Sequence, residues 1–166
     1  MRYYDTYDSP YGGMLLAATG KGLAGAYFDR QKHHPVRGHD WKRDPGHAHL
    51  ARAKRQLAEY FAGKRKVFEL ELDPSGTGFQ KAVWQAIRGV PYGETISYGE
   101  LARRAGHAGH ARAAGAATGR NPIGIIVPCH RIVGSNGSLT GYAGGLDRKR
   151  ALLRLESGTP DLLSAA

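Results

Sequence analysis

The chain has 166 residues, enough for one ordinary domain or two small ones with a sizeable core, and no apolar run long enough to span a membrane. Its 24 Lys and Arg against 14 Asp and Glu leave a net charge of +10, which suits a polyanionic partner, nucleic acid first, although many basic proteins bind none. A lone cysteine excludes an intramolecular disulfide and a thiolate-rich metal cluster, and with no apolar signal-peptide stretch at the start a cytoplasmic protein is expected.

In chain order, residues 3–7, 14–19, 23–28 and 67–72 carry strand patterns, and Gly20-Lys21-Gly22 offers the turn for a hairpin between the second and third. Residues 31–46 are rich in His, Pro, Arg and Asp without apolar periodicity and read as a surface loop. A helix is expected over 47–62, with Leu50, Ala53, Leu57 and Phe61 on one face and Gly63 as its stop. Composition then breaks at Asp73-Pro74-Ser75-Gly76. That break divides the chain into an α/β unit, residues 1–73, and a mostly helical unit, residues 74–166.

Thr77 and Gln80 have capping-box spacing and open a helix that turns Phe79, Val83, Trp84 and Ile87 inward and ends by Gly89. Ser97 and Glu100 repeat the signature for a helix to about Ala105. A turn over 106–109 leads to a short helix over 110–118, so the pair reads as helix-turn-helix or as plain packing of two helices. Arg112 is the one large side chain of that second helix, among Ala111, Ala113, Ala114, Gly115, Ala116 and Ala117. Such a helix has little with which to read base edges in the major groove, but its backbone can approach a minor groove or pack tightly on a neighbour. Residues 123–127 form a short apolar run expected to be buried and extended, ending at Pro128-Cys129-His130-Arg131. Residues 134–145 hold five glycines and read as a loop, and a last helix is expected over 147–156, stopping before Gly158.

An isolated cysteine in an apolar stretch is commonly a small buried hydrophobe. Cys129, however, follows a proline, precedes His130 and Arg131, and opens a glycine-rich loop able to surround a ligand. A thiol with its usual pKa near 8.5 needs a base or a positive environment to act as a nucleophile at neutral pH, and His130 is the nearest candidate. Neighbours on an extended chain point apart, so contact between them needs a turn or a bridging water.

Pro128-Cys129-His130-Arg131 followed by Ile132-Val133 resembles the active-site signature of the O6-alkylguanine-DNA alkyltransferases. Around it, in family order, stand Pro91-Tyr92-Gly93-Glu94-Thr95 with Ser97-Tyr98, then Ala111-Arg112-Ala113, Arg120-Asn121-Pro122 and Gly141-Tyr142-Ala143-Gly144-Gly145-Leu146, with Glu156 closing the last helix. The match runs from about residue 77 to 158. Ser9-Pro10-Tyr11-Gly12 and Gly22-Leu23 extend a less diagnostic likeness to the first unit.

The resemblance implies an α+β protein, with a ribonuclease H-like α/β domain followed by a mostly α, helix-turn-helix and winged-helix-like domain. It implies direct-reversal repair, in which Cys129 takes the alkyl group from O6-alkylguanine in double-stranded DNA and each molecule acts once, O4-alkylthymine being a further candidate substrate. His130 would act as base through a water, Glu156 would orient the imidazole, Asn121 would brace the nucleophile's loop, and Tyr98 would donate to the guanine. The target base must leave the stack. Arg112 would fill the gap, with Tyr98, Ala111, Gly115, Thr118 and Ser135 along the minor-groove contact, while Ile132, Tyr142, Ala143 and Gly144 would form the base pocket.

No cofactor, membrane or obligate protein partner is implied. Ala143 stands where many members have Ser, which removes a hydroxyl from the pocket. Some members hold a structural zinc, but with no second cysteine none is expected here, and His33, His34, His39, His47 and His49 lack ligand spacing and read as surface groups. Three other readings compete. A lesion sensor of the alkyltransferase-like kind carries Trp at the nucleophile position, a thiol hydrolase needs an oxyanion hole, and a transcription regulator needs polar readers on its recognition helix.

Overall fold

Ser9 closes the first hairpin locally. Its hydroxyl donates to Gly12 O (2.6 Å) and accepts from Tyr11 N (3.1 Å), while Gly12 takes a φ of +120°. The computed structural model describes residues 1–158. In it, β1 (Arg2–Ser9), β2 (Gly12–Ala18) and β3 (Leu23–Phe28) form an antiparallel meander, and β4 (Trp41–Arg43) pairs in parallel with β1, giving the order β3-β2-β1-β4. β4 lies inside the segment expected to be loop only. Three residues are too few to show alternation, and what holds them is remote: Arg43 reaches Asp5 at 3.4 Å, and Trp41 packs against Tyr4 and Arg2.

The strand expected over 67–72 does not form. Leu72 makes a single bridge to Leu23, Val67 is 68% exposed, and the backbone of Glu69 is satisfied by the buried Gln56 side chain, which donates to its O (3.1 Å) and accepts from its N (2.9 Å). A glutamine amide thus stands in for a neighbouring strand. Gln56 belongs to α1 (Ala48–Phe61), whose buried residues are Leu50, Ala53, Gln56, Leu57 and Tyr60. The stripe read from sequence ended on Phe61, but Phe61 is half-buried and Tyr60 is fully enclosed.

The capping box at α2 (Gly78–Arg88) is complete, with Thr77 and Gln80 bonded reciprocally, and Val83, Trp84 and Ile87 are buried. At α3 (Tyr98–Arg104) only half of the expected box exists. Ser97 accepts from Glu100 N, but the Glu100 carboxylate turns to Arg103 and Arg104, which hold it down to a pKa of about 2. Two nearby guanidiniums outcompete one backbone N–H for a partly exposed carboxylate. α4 (Ala111–Gly119) follows a turn in which Gly106 and Gly109 take φ of +83° and +86°. Its Ala114 and Ala117 are buried, and Trp84 Nε1 donates to Ala117 O (2.8 Å), while Arg112, Ala113 and Ala116 face outward. Small residues therefore serve close packing on one face and leave the other open. β5 (Ile96–Ser97) and β6 (Ile132–Val133) form a short parallel pair, and α5 (Leu146–Ser157) ends at Gly158, which adopts φ +77°. Among the described residues, no helix is long and apolar enough to cross a membrane.

β3 would be an open sheet edge, a hazard that proteins cover. Here the second unit covers it, with Ala26 N donating to Pro122 O (2.8 Å) and Gly124 N to Ala26 O (2.9 Å), while Asp73, the last residue of the first unit, donates its N–H to Leu23 O (2.7 Å). That seam fixes residues 122–124 and, with them, the approach to Cys129.

Candidate active site

The apolar run 123–127 is buried, as expected, but it is not extended. Gly124 and Val127 pair across a tight turn, and Ile125 takes φ +70°, a left-handed conformation that a β-branched side chain adopts only at a cost of about 1–3 kcal/mol. Asn121 holds the turn. Its Nδ2 donates to Val127 O (2.9 Å) and Ile123 O (3.4 Å), and its Oδ1 accepts from Ile123 N (3.0 Å). Beyond Pro128 the backbone makes a single 3-10 turn, Cys129–Arg131, which carries three consecutive side chains inward.

Two of them, His130 and Arg131, converge on Glu156, near the end of α5. His130 Nε2 lies 2.7 Å from Oε2, Arg131 donates through Nε to Oε1 (2.8 Å) and through Nη2 to Oε2 (2.9 Å), and Tyr60 donates to Oε2 (2.6 Å). Arg131 Nη1 is used on Val90 O (2.7 Å). Burial alone would raise the Glu156 pKa, but His130 and Arg131 together hold it well below the usual carboxylate range. An ionised carboxylate only accepts, so His130 carries its proton on Nε2 and leaves Nδ1 as an acceptor. Nδ1 is buried and has no hydrogen-bond partner among the described residues. Burial lowers the His130 pKa against the pull of Glu156, so the imidazole is neutral at neutral pH.

Cys129 is buried, 6% exposed, and burial pushes its thiol pKa up, with the Asn121 amide and the Lys149 charge drawing it back. The resting group is a thiol. It requires a base rather than supplying its own thiolate. Lys149, fully buried on α5, donates to Ile132 O (2.6 Å), Thr140 O (2.7 Å) and Gly141 O (3.4 Å), tying the exit from the 3-10 turn to the glycine-rich loop. Burial brings its pKa down to about 8.

A cavity of about 440 Å³ lies between α4 and that loop, lined by Tyr98, Gly115, Ala116, Gly119, Arg120, Gly141, Tyr142 and Ala143 with Lys32 and His33. The phenol of Tyr142, on the cavity wall, is raised well above its ordinary pKa chiefly by burial, with Cys129 adding to the shift. At Gly115 an added Cβ would sit 3.6 Å from the Tyr98 ring, so a larger side chain would fill the space beside it. The loop is anchored to the first unit: Lys32 N donates to Ala143 O (2.9 Å), and Arg148 donates to Gly144 O (3.2 Å), Asp29 O (3.1 Å) and Tyr11 O (3.0 Å).

Of the residues singled out from sequence, the structure gathers Cys129, His130, Asn121 and Glu156 at one end and Tyr98, Gly115, Tyr142 and Ala143 around the cavity. Ala111 is half-buried, and Arg112 and Ser135 are exposed. Thr118 departs from its expected place on a DNA-facing surface: it is buried, and its hydroxyl donates to Ala114 O (2.7 Å). Ile132 and Gly144 are also buried and do not line the cavity; Gly144 lies where a Cβ would meet the rings of Tyr142 and Phe28. The expected surface histidines divide, since His33 and His39 are exposed while His34, His47 and His49 pack partly buried against aromatic rings. Sequence reasoning gave no role to Tyr60, Arg131 or Lys149. Arg131 stood inside the motif, and an arginine or lysine at a core-facing position was the available signal for it and for Lys149.

The family model described as 6-O-methylguanine DNA methyltransferase, ribonuclease-like domain, matches residues 2–74, and that of the DNA binding domain matches residues 78–158. A methylated-DNA--protein-cysteine methyltransferase of Mycobacterium tuberculosis is 52% identical over 156 residues, covering 94% of this chain and 93% of the relative. One from Methanosarcina acetivorans is 48% identical over 154 residues, covering 93% and 97%. Among solved structures, a Mycobacterium tuberculosis OGT in complex with DNA superposes with a TM-score of 0.89 at 49% identity, covering 99% of each chain. An O6-methylguanine methyltransferase of that organism gives 0.87 at 50% identity, covering 98% of this chain and 96% of the other.

Proposed function

Because the chain belongs to the 6-O-methylguanine DNA methyltransferase family, we propose that it repairs O6-alkylguanine in DNA by direct reversal, with Cys129 as the acceptor of the alkyl group. The observation that carries the assignment is the buried relay itself. A thiol that burial keeps protonated is followed by an imidazole whose proton sits toward Glu156 and whose other nitrogen is an acceptor.

In the reaction, the thiol proton passes through a water to His130 Nδ1, and Glu156 stabilises the imidazolium that results. The sulfur attacks the alkyl carbon, an S–C bond forms, and the C–O6 bond breaks with its electron pair going to the guanine. Tyr98 donates to the base as that charge develops. Reversal would have to expel the Cys129 thiolate from a stable neutral thioether, where it is a poor leaving group, so nothing regenerates the thiol and each molecule is spent. Asn121 keeps the strained turn before Cys129 in place, and Tyr142 with Ala143 walls the base. O4-alkylthymine is a second candidate for the same pocket.

DNA is engaged through α4. Its outer face of small residues fits the minor groove, the lesion is inaccessible inside the duplex and must be flipped out, and Arg112 occupies the gap. Ala111, Gly115 and Ser135 border that contact. Division of labour at Asp73 and Pro74, with recognition and chemistry in the second unit, belongs to the same reading, as does residence in the reducing cytoplasm, where an unpaired thiol survives.

Incubation with excess duplex containing one O6-methylguanine is expected to add one methyl in place of hydrogen, on Cys129 alone, saturating at one per molecule in peptide mass spectrometry. Cys129→Ala should bind the duplex and gain nothing. Methyl on another residue, or continued transfer by that variant, would refute the assignment.

A further inference from the structure

We propose that Tyr60, supplied by α1 of the first unit, is a positioning residue of the alkyl-transfer relay that restrains Glu156 and thereby sets the basicity of His130. The inference rests on the transfer reading above.

Tyr60 is completely buried, packed edge-on against Phe61 and Tyr92 and tilted against Phe68. A phenylalanine would fill that space equally well, and burying a hydroxyl costs free energy unless it is bonded. This hydroxyl is bonded to the one carboxylate at the centre of the site, at 2.6 Å, across 96 residues of sequence. It donates to Oε2, the oxygen that His130 also uses. Burial and the carboxylate raise the phenol pKa well above its ordinary value, so Tyr60 remains a donor throughout the pH range of interest.

Two donors on one oxygen share its charge. Each bond that Tyr60 makes to Oε2 weakens the pull of that oxygen on the imidazole, favours neutral His130, and so keeps Nδ1 available to take the thiol proton. The other groups facing the pair remain when the hydroxyl is removed: Cys129 and Arg131 on the 3-10 turn, Lys149 on α5, Tyr92 after α2 and Tyr142 in the loop. Tyr92 is a fitting control because its hydroxyl lies 3.5 Å from Leu155 O and not on the carboxylate.

Tyr60→Phe and Tyr92→Phe in the full chain are compared with the unaltered protein for benzyl transfer from free O6-benzylguanine to Cys129 across pH, with thermal unfolding alongside. In Tyr60→Phe the acid limb of the rate profile is expected to move up by about one pH unit, the scale of a hydrogen bond to a charged group, so that transfer below the limb falls about tenfold. Tyr92→Phe should leave the limb in place. Titration of the His130 imidazole by NMR should show the same upward shift independently of rate. If Tyr60→Phe keeps the wild-type limb and the wild-type imidazole titration, whatever its unfolding temperature, Tyr60 only packs and the proposal falls. Absence of any label on Cys129 in the unaltered protein would instead overturn the transfer reading and this inference with it.

Discussion

The carboxylate end of α5 and the outer face of α4 are built on opposite plans. Glu156 accepts from Arg131, Tyr60 and His130 in a buried cluster. Arg112, on α4, is exposed and makes no hydrogen bond or ion pair among the described residues. Proton transfer requires groups fixed before the substrate arrives, because reorganising a buried charge during reaction is expensive. Recognition of a flipped base gains from a side chain whose partner arrives with the DNA. The difference separates what the fold supplies alone from what the substrate completes.

Removing the centre of the fixed cluster is the most severe way to break it. Glu156→Gln leaves Arg131 buried without its counter-charge, and losing one partner of a buried pair costs on the order of 3 kcal/mol. For a chain of this size the expected fall in Tm is roughly 6–12 °C. The pH dependence follows from the two shifts. Glu156 has a folded pKa below its ordinary 4.5, so its stabilisation is complete above that value and is lost as pH falls from there toward the folded pKa. His130, also lowered from its ordinary 6.5, adds a loss of the same sign beginning below that value. The gap in Tm between wild type and variant should therefore be widest near neutral pH and close in acid below about 4.5. An unchanged Tm at pH 7 would mean that Arg131 is satisfied without Glu156 and that the cluster is not the rigid half of the comparison.

On the open side, Arg112→Ala should leave the cluster intact and fail only where a stack must be filled. Unstacking a base costs a few kcal/mol, so repair of O6-methylguanine in duplex DNA is expected to slow by about a hundredfold, while reaction with free O6-benzylguanine stays close to wild type. Equal losses on both substrates would place Arg112 in the chemistry and remove the distinction.

Sequence reading reached the two plans unequally. The α4 face was legible because its signal is local, a run of Ala and Gly around one Arg, and the helix caps at Thr77 and Ser97 were legible for the same reason. Cys129 and His130 were legible as a thiol and its nearest base from the residues beside them, whereas Glu156 was reached by resemblance to a family. Tyr60 was not reached: it lies one residue from the end of the apolar stripe, and only the fold brings it to Glu156. Lys149 was hidden among the charges of α5, where the leucines drew the periodicity and its burial depends on three distant carbonyls. The left-handed Ile125 violates its own propensity, which only a brace such as Asn121 can impose. The 41–43 strand owes its form to β1 and carries no pattern of its own.

Ionic strength offers the gentlest test, because it acts on one half of the molecule and spares the other. On the proposed reading, exposed cations such as Arg120 would meet phosphates through solvent and release counterions, so affinity for duplex should fall with salt. Neutralising two or three phosphates corresponds to roughly a ten- to fortyfold loss between 50 and 200 mM salt, with little dependence on sequence. The Glu156 cluster lies outside the reach of mobile ions, which screen exposed charges far more than buried pairs. Transfer from free O6-benzylguanine should accordingly stay nearly flat over the same range. Parallel decline of both would show that solvent enters the cluster during reaction and that the two plans are less separate than the resting structure makes them, whereas a flat profile for both would remove α4 and its arginines from DNA binding.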